Sequence, residues 1–433
     1  MGGAKATVKS FEIRKRLVFE AWVKVRSKGG APGVDAVSTT VFESREGDLL
    51  YKLWNRMSAG SYMPSPVRAV EIPKDHGEGV RVLGVPTVAD RVAQTAAAML
   101  LGEKLEPIFH PDSYGYRPGR NAHDALAVAR RRCWAKAWVL DLDIRAFFDS
   151  VPHDLLLKAV AHHTQERWVL LYIERWLKAP MQMPDGTLVA RERGTPQGSP
   201  ISPLLVNAFM HYAFDMWMSR EHPGVPFERY AEDIVVHCDT EMQARRLWAE
   251  IAKRLEALGL ELNLAKTKVV FCKDANRPGD SEHTSFVFLG YAFRGRVARG
   301  PRGYFVSFAP AIAPAARNAL SLTIRAWHLR RRSTSDLSSL AREINEQVRG
   351  WFGYYGAFYR SELRFLAVRI DQHSSDGQGT SSNDSGTALS VRGPGSPLSN
   401  GGSPDCLCTG RDCRHRKVGL QEPYDGRLSR TVL

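Results

Sequence analysis

The chain has 433 residues, 43% of them hydrophobic and 24% charged, enough for two or three packed units with their own cores. Sixty Lys and Arg against 46 Asp and Glu leave a net charge of +14, spread along the chain, which suits a polyanionic partner such as nucleic acid. The longest apolar runs, such as residues 96–101, are far too short to span a bilayer, and the first residues lack the apolar core of a secretion signal. No membrane role is expected. Cys133, Cys238 and Cys272 sit singly rather than in a disulfide framework, so the expected setting is a reducing cytoplasm.

In chain order, residues 11–30 read as an amphipathic helix. Phe11, Ile13, Leu17, Val18, Ala21 and Val25 recur at helical spacing, and Arg14, Lys15 and Arg16 lie between them as a basic face suited to RNA. The turn Lys28-Gly-Gly-Ala-Pro-Gly-Val-Asp35 could approach a phosphate or be a plain loop. A helix over 47–60 precedes two strands, 67–73 and 79–84, in a hairpin that carries Arg68, Lys74 and Arg81. Thr87 caps a helix over 88–105. The loop Asp112-Ser-Tyr-Gly-Tyr-Arg-Pro-Gly-Arg120 offers Arg117 and Arg120 forks and two Tyr rings, groups suited to phosphates and bases. Asn121 or His123 opens the next helix, which ends near Trp134.

Acids then appear where strands disfavour them. Trp138-Val-Leu-Asp-Leu-Asp-Ile-Arg-Ala-Phe-Phe-Asp-Ser150 begins as a strand, yet carries Asp141, Asp143 and Asp149. A Gly/Pro-rich loop, Arg191-Glu-Arg-Gly-Thr-Pro-Gln-Gly-Ser-Pro-Ile-Ser-Pro-Leu-Leu205, feeds an apolar helix from Leu204 to about Trp217. In Phe227-Glu-Arg-Tyr-Ala-Glu-Asp-Ile-Val-Val-His-Cys238 two carboxylates, Glu232 and Asp233, stand together at the start of a β-branched run. An acidic surface turn is the ordinary explanation of one such pair. Both acids can serve one site only at a hairpin tip, and their mutual repulsion then calls for a cation. Pairing this hairpin with the strand at 138–144 would assemble a carboxylate cluster for two Mg²⁺ ions about 4 Å apart, as polymerases use to align a 3′-hydroxyl and a leaving pyrophosphate.

Taken together, Ser113-Tyr-Gly-Tyr-Arg-Pro-Gly-Arg120, Leu140-Asp-Leu-Asp-Ile-Arg-Ala-Phe-Phe-Asp149, the 194–205 loop and Arg229-Tyr-Ala-Glu-Asp-Ile-Val-Val236 resemble a bacterial group II intron reverse transcriptase/maturase. Gly259-Leu-Glu-Leu-Asn-Leu-Ala-Lys-Thr-Lys268, Phe286-Val-Phe-Leu-Gly-Tyr-Ala-Phe293 and Gly350-Trp-Phe-Gly-Tyr-Tyr355 continue the resemblance, which covers residues 8–370 in order.

The resemblance implies an α+β right-hand polymerase fold: N-terminal extension and fingers over 1–135, a palm with an antiparallel sheet and interleaved fingers helices over 136–300, and a helical thumb with part of the maturase region over 301–370. It implies an RNA-directed DNA polymerase that binds group II intron RNA, a DNA primer and dNTPs, and assists splicing and mobility. Asp143, Glu232 and Asp233 match the metal-binding acids, and Phe148 the gate that excludes a 2′-hydroxyl. Gln197 and Gly198 match the nucleotide pocket; Lys268, with Lys266 as the alternative, matches the triphosphate contact. Arg68, Lys74 and Arg81 fall in the fingers segment that holds incoming phosphates, and Phe288, Leu289, Gly290 and Tyr291 match the primer grip. Asp141 and Asp149 are expected to be structural.

Two departures qualify this. The family normally reads Tyr-Ala-Asp-Asp, whereas the third position here is Glu232, whose extra methylene shifts the carboxylate by roughly 1–1.5 Å. Weakened turnover with Mn²⁺ preferred is expected; a maturase without useful polymerase activity and a reverse transcriptase serving defence are the alternatives. In the thumb, Pro314 is expected to open a helix to about Arg332, with Arg330 and Arg331 facing RNA, and Ser335 or Asp336 to cap a helix through Ile344. The aromatic run from Trp351 to Tyr359 suits an RNA contact, a helical core, or one face of each. From about Asp371 the sequence is rich in Ser, Gly and Pro, without Phe, Trp, Ile or Met, so a disordered tail is expected, altered or shortened relative to the family. Cys406, Cys408, Cys413 and His415 fit no common zinc spacing.

Overall fold

The structure, a computed structural model, describes residues 9–73, 79–301, 303–329 and 337–375. Lys74 with its turn, Arg330 and Arg331, the Ser335/Asp336 cap and the tail cysteines lie outside the described residues. Two compact units emerge among the described residues, one from those up to Ala125 with Trp138–Val269, the other from Leu126–Ala137 with those from Val270 on. Among the described residues no helix is long and apolar enough to cross a membrane.

The strands of the first unit are β1 (Val67–Pro73), β2 (Val80–Val85), β3 (Trp138–Asp143), β4 (Met181–Gln182), β5 (Leu188–Val189), β6 (Phe227–Tyr230) and β7 (Asp233–Cys238). They form one sheet ordered β2-β1-β4-β5 and another running β6-β7-β3, with Lys268, first residue of β8 (Lys268–Phe271), at its far edge. In β3 the period of two does the sorting. Leu140 and Leu142 point into the core with Phe209, Phe214, Ile234 and Val236, so Asp141 and Asp143 must share the opposite face. Each buried Leu contributes about 1.5–3 kcal/mol, and a one-residue slip would exchange leucines for acids, so the register is firmly held.

Helices pack around these sheets, with Lys15–Lys28, Glu46–Ser58 and Val88–Leu105 at nearly the expected positions and Glu241–Ala257 in addition to those expected. The Thr87 hydroxyl accepts the Asp90 N–H at 3.1 Å as an N-cap. Helix Ser202–Met210 continues through a π turn at His211–Asp215 into Met216–Glu221, farther than expected, because the first breakers are Pro223 and Gly224. The π turn sends Asp215 wholly inward.

The second unit holds β9 (Ser285–Phe288), β10 (Tyr291–Gly300) and β11 (Gly303–Ile312), antiparallel in the order β11-β10-β9. The helical thumb expected from 301 thus opens with a strand, as the aromatic and β-branched residues Tyr304, Phe305 and Val306 favour. The next helix, Pro314–Ala326, starts at the expected proline and ends earlier than expected. Helix Leu337–Tyr355 runs past Ile344, since Ile344, Val348 and Trp351 recur at helical spacing on a buried face. Trp351 stacks on Trp327 at 5.4 Å with rings 7° from parallel, so the core reading holds for Trp351.

Candidate active site

Tyr230 pairs with Asp233, so Ala231 and Glu232 form a two-residue hairpin loop. Ala231 takes φ +56°, a conformation that glycine or asparagine adopts more readily. The strain is held from beneath by Arg229, which is fully buried. Its guanidinium donates to both Asp215 oxygens at 2.7 Å, to Asn207 Oδ1 at 2.9 Å, to Ser113 Oγ at 2.8 Å and to the Ala231 carbonyl at 3.3 Å. The 112–116 loop lies alongside as an extra edge: Arg229 N–H donates to the Asp112 carbonyl at 2.9 Å, and Tyr114 N–H to the Arg229 carbonyl at 2.8 Å. Gly115 is required there, because a Cβ would stand 2.6 Å from the Ala231 nitrogen.

Asp143 is the direct antiparallel partner of Asp233, which places both carboxylates on one face of the sheet, with Asp141 one pleat further along. Desolvation, with the Glu232 and Asp143 charges behind it and Lys266 opposing, pushes the Asp233 carboxyl up to about 7. Desolvation also raises Asp141 to about 8, opposed by Lys268 and reinforced by Asp233 and Asp143. Glu232 is raised chiefly by desolvation and also by Asp143, while its own backbone, Arg81 and Lys266 pull it down. Lys266 Nζ lies 3.3 Å from Asp143 Oδ1. The Lys266 segment is tied to the end of β3 by Asn263 N–H to the Asp143 carbonyl and Arg145 N–H to the Glu261 carbonyl, each 2.8 Å.

These carboxylates are half-buried and mutually repelling, the donor set a hard divalent cation would relieve. Among the described residues no three His, Cys, Asp or Glu side chains converge as a preformed metal cage.

Phe148 is buried in the short helix Phe147–Ser150, entered through Ala146 at φ 44°. The Gly/Pro loop straps it: Thr195 N–H donates to the Phe148 carbonyl at 2.7 Å, and a Cβ on Gly194 would stand 2.5 Å from that oxygen. Farther along, the Gln197 carbonyl accepts the Gly84 N–H of β2 at 2.7 Å, and Gly198 presses on the Gly84 carbonyl. The loop therefore joins Phe148, Gln197 and Gly198 to the strand that carries Arg81.

Other expected residues fall differently. Of the two lysines, Lys266 stands at Asp143, whereas Lys268 acts on Asp141. Arg117 is buried and spends its guanidinium on Glu106 at 2.7 and 2.9 Å and on the His110 and Ser113 carbonyls at 2.7 Å, so it braces the loop from inside. Arg120 lies over the Tyr114 ring at 5.5 Å. Arg68 is half-buried in β1. Arg14, Lys15 and Arg16 are exposed; Lys15 leans over Trp54 at 4.5 Å and Arg16 pairs with Glu20 at 2.7 Å. Asp149 is exposed, and the charge acting on it is Arg191, not the cluster. In the second unit, Phe288 pairs with Tyr291 across Leu289 (φ 50°) and Gly290 (φ 77°), a tight turn held by Tyr354 Oη donating to the Leu289 carbonyl at 2.8 Å. Sequence reasoning missed Arg229, Asp215 and Asn207. The available signal was an acid inside an otherwise apolar helix.

An antiparallel sheet with leucines on one face and acids on the other is the palm of a right-hand polymerase, a nucleotidyltransferase. The family described as reverse transcriptase (RNA-dependent DNA polymerase) matches residues 72–293, and the group II intron, maturase-specific domain matches 317–373. Protein YkfC of Escherichia coli is 32% identical over 349 residues, covering 72% of this chain and 88% of YkfC. The group II intron-encoded protein LtrA of Lactococcus lactis is 30% identical over 199 residues, 46% of this chain and 33% of LtrA, so the chain matches only a third of that relative. A solved telomerase from Candida albicans, in complex with a fragment of telomeric RNA, aligns with TM-score 0.46 and 12% identity over 79% of this chain and 64% of its own. The chain belongs to the reverse transcriptases of the group II intron reverse transcriptase/maturase family, which are RNA-directed DNA polymerases.

Proposed function

We propose that this protein copies group II intron RNA into DNA by joining a primer 3′-hydroxyl to the α-phosphate of a dNTP, and that it binds the same RNA to assist splicing and mobility. The observation that carries this is the cross-strand pairing of Asp143 with Asp233, with Glu232 in the adjoining turn. Those three side chains would hold Mg²⁺, which when bound supplies charge neutralisation and alignment of attacking and leaving oxygens. Lys266, exposed beside Asp143, would meet the triphosphate, with Arg81 and Arg68 on the fingers strands. Phe148, fixed by the 194–198 loop, would close the floor under the sugar and select against a 2′-hydroxyl. Leu289 and Gly290 would steady the primer end, and the basic helix with Arg14 and Lys15 would hold RNA. The residues 1–135, 136–300 and 301–370 would serve as fingers, palm and thumb. The single spacing of Cys133, Cys238 and Cys272 in the sequence, with all three buried, suits a cytoplasmic setting.

Primer extension on poly(rA)/oligo(dT), with Mg²⁺ and separately Mn²⁺, tests the reading. Extension that stops on chelation supports it. RNA binding with no extension in either metal would favour a maturase without polymerase, the reading for which Glu232 speaks.

A further inference from the structure

β10 and β11 have ten residues each, but β9 pairs only with residues from Tyr291 to Arg294 of β10. Beyond that point the strands continue as a two-stranded ribbon to the Gly300–Gly303 pair. Its two faces differ. On one, Arg296 is buried, donating to Glu362 at 3.1 Å and to the Ala292 and Ala309 carbonyls at 3.2 Å. The Tyr359 hydroxyl also bonds the Val297 carbonyl at the ribbon's edge. On the other face two successive rungs, Val297 opposite Val306 and Arg299 opposite Tyr304, stand in solvent. Tyr304 is 77% exposed and Val297 60%.

An exposed apolar ribbon invites aggregation unless something covers it. Charge says what that is. Residues 291–312 contain Arg294, Arg296, Arg299 and Arg302 and no Asp or Glu, in a chain of net charge +14. A second copy of so basic a chain would be repelled, whereas a polyanion would be drawn in. An aromatic ring flanked by a guanidinium on an open antiparallel surface is what unpaired bases stack on.

We propose that this ribbon face binds single-stranded RNA, with Tyr304 as the stacking platform for a base and Arg299 beside it for the phosphate. The choice of RNA rests on the function proposed above. Stacking on Tyr304 leaves the base edge unread, so the contact tolerates any base and excludes duplex, whose bases are already stacked.

The test is fluorescence anisotropy of the full chain with a labelled oligo(rU) 12-mer and with a blunt RNA hairpin. Tyr304→Ala should weaken oligo(rU) binding about 5- to 100-fold, the loss of one stacked base, and leave hairpin binding unchanged. Tyr304→Phe should bind like wild type, and Arg299→Gln should reduce the slope of log K against log salt by about 0.7. Absence of oligo(rU) binding by wild type, equal binding by Tyr304→Ala, or a dimer that the substitution dissolves would overturn the proposal. Primer extension by wild type, run alongside, separates the two readings. Extension with unaltered oligo(rU) binding by Tyr304→Ala defeats the ribbon alone; no extension with the stacking loss observed defeats only the polymerase.

Discussion

One methylene separates Glu232 from the aspartate usual at its position, and Mg²⁺ demands near-octahedral geometry at about 2.0–2.1 Å. A misplacement of about 1 Å can cost about 10²-fold in rate, so Glu232→Asp should raise incorporation in Mg²⁺ by up to that factor and less in Mn²⁺. Phe148 admits a second test. Phe148→Val should lower the preference for dATP over ATP, read as a ratio of kcat/KM values, with dATP incorporation retained. Residues whose chemistry contradicts their element were legible from sequence: Asp143 in a strand, Glu232 and Asp233 at a tip. Residues whose role depends on three-dimensional proximity were not. Lys266 and Lys268 are two apart, and only the path of the segment past β3 assigns one to Asp143 and the other to Asp141. Arg117 looked like an RNA contact because sequence does not show Glu106 folded against it.

The hairpin between Tyr230 and Asp233 is an element under strain, and its support is a buried ion pair. Breaking such a pair strands an uncompensated charge, so Asp215→Ala should destabilise the protein by about 3–5 kcal/mol in urea unfolding, with Arg229→Ala similar. The double substitution to Arg229→Met and Asp215→Leu should recover much of that stability yet slow incorporation, because Ala231 loses the donor that holds its carbonyl. Equal activity in the double variant would show that the network stabilises the fold without shaping the site. Strand periodicity made β3 and β7 readable, and capping chemistry made the helix at Val88–Leu105 readable. The π turn and the β10–β11 ribbon escaped, since a π turn has no propensity signal and Gly295, Gly300 and Gly303 interrupt the strand pattern of the ribbon.

At the scale of the whole molecule, the clustered acids couple stability to pH. In the folded state Asp233 and Asp141 hold protons up to about 7 and about 8, against the ordinary 3.8 when unfolded. Between those limits the folded state binds more protons, so stability falls as pH rises from about 4 to about 8. The thermal midpoint without metal should decline across that window, flatten above it, and decline less in Asp141→Asn. Added Mg²⁺ should raise it most at the alkaline end, where protons no longer compete for the carboxylates. With a net charge of +14, the RNA affinity proposed above should fall steeply with added salt.

The most direct measurement is single-nucleotide incorporation on an RNA template by wild type, Asp143→Ala and Glu232→Asp, with thermal melts to verify folding. A carboxylate site of the proposed kind predicts incorporation by wild type, none by folded Asp143→Ala, and a faster rate for Glu232→Asp. Incorporation that survives Asp143→Ala, or silence from all three folded proteins, would contradict it.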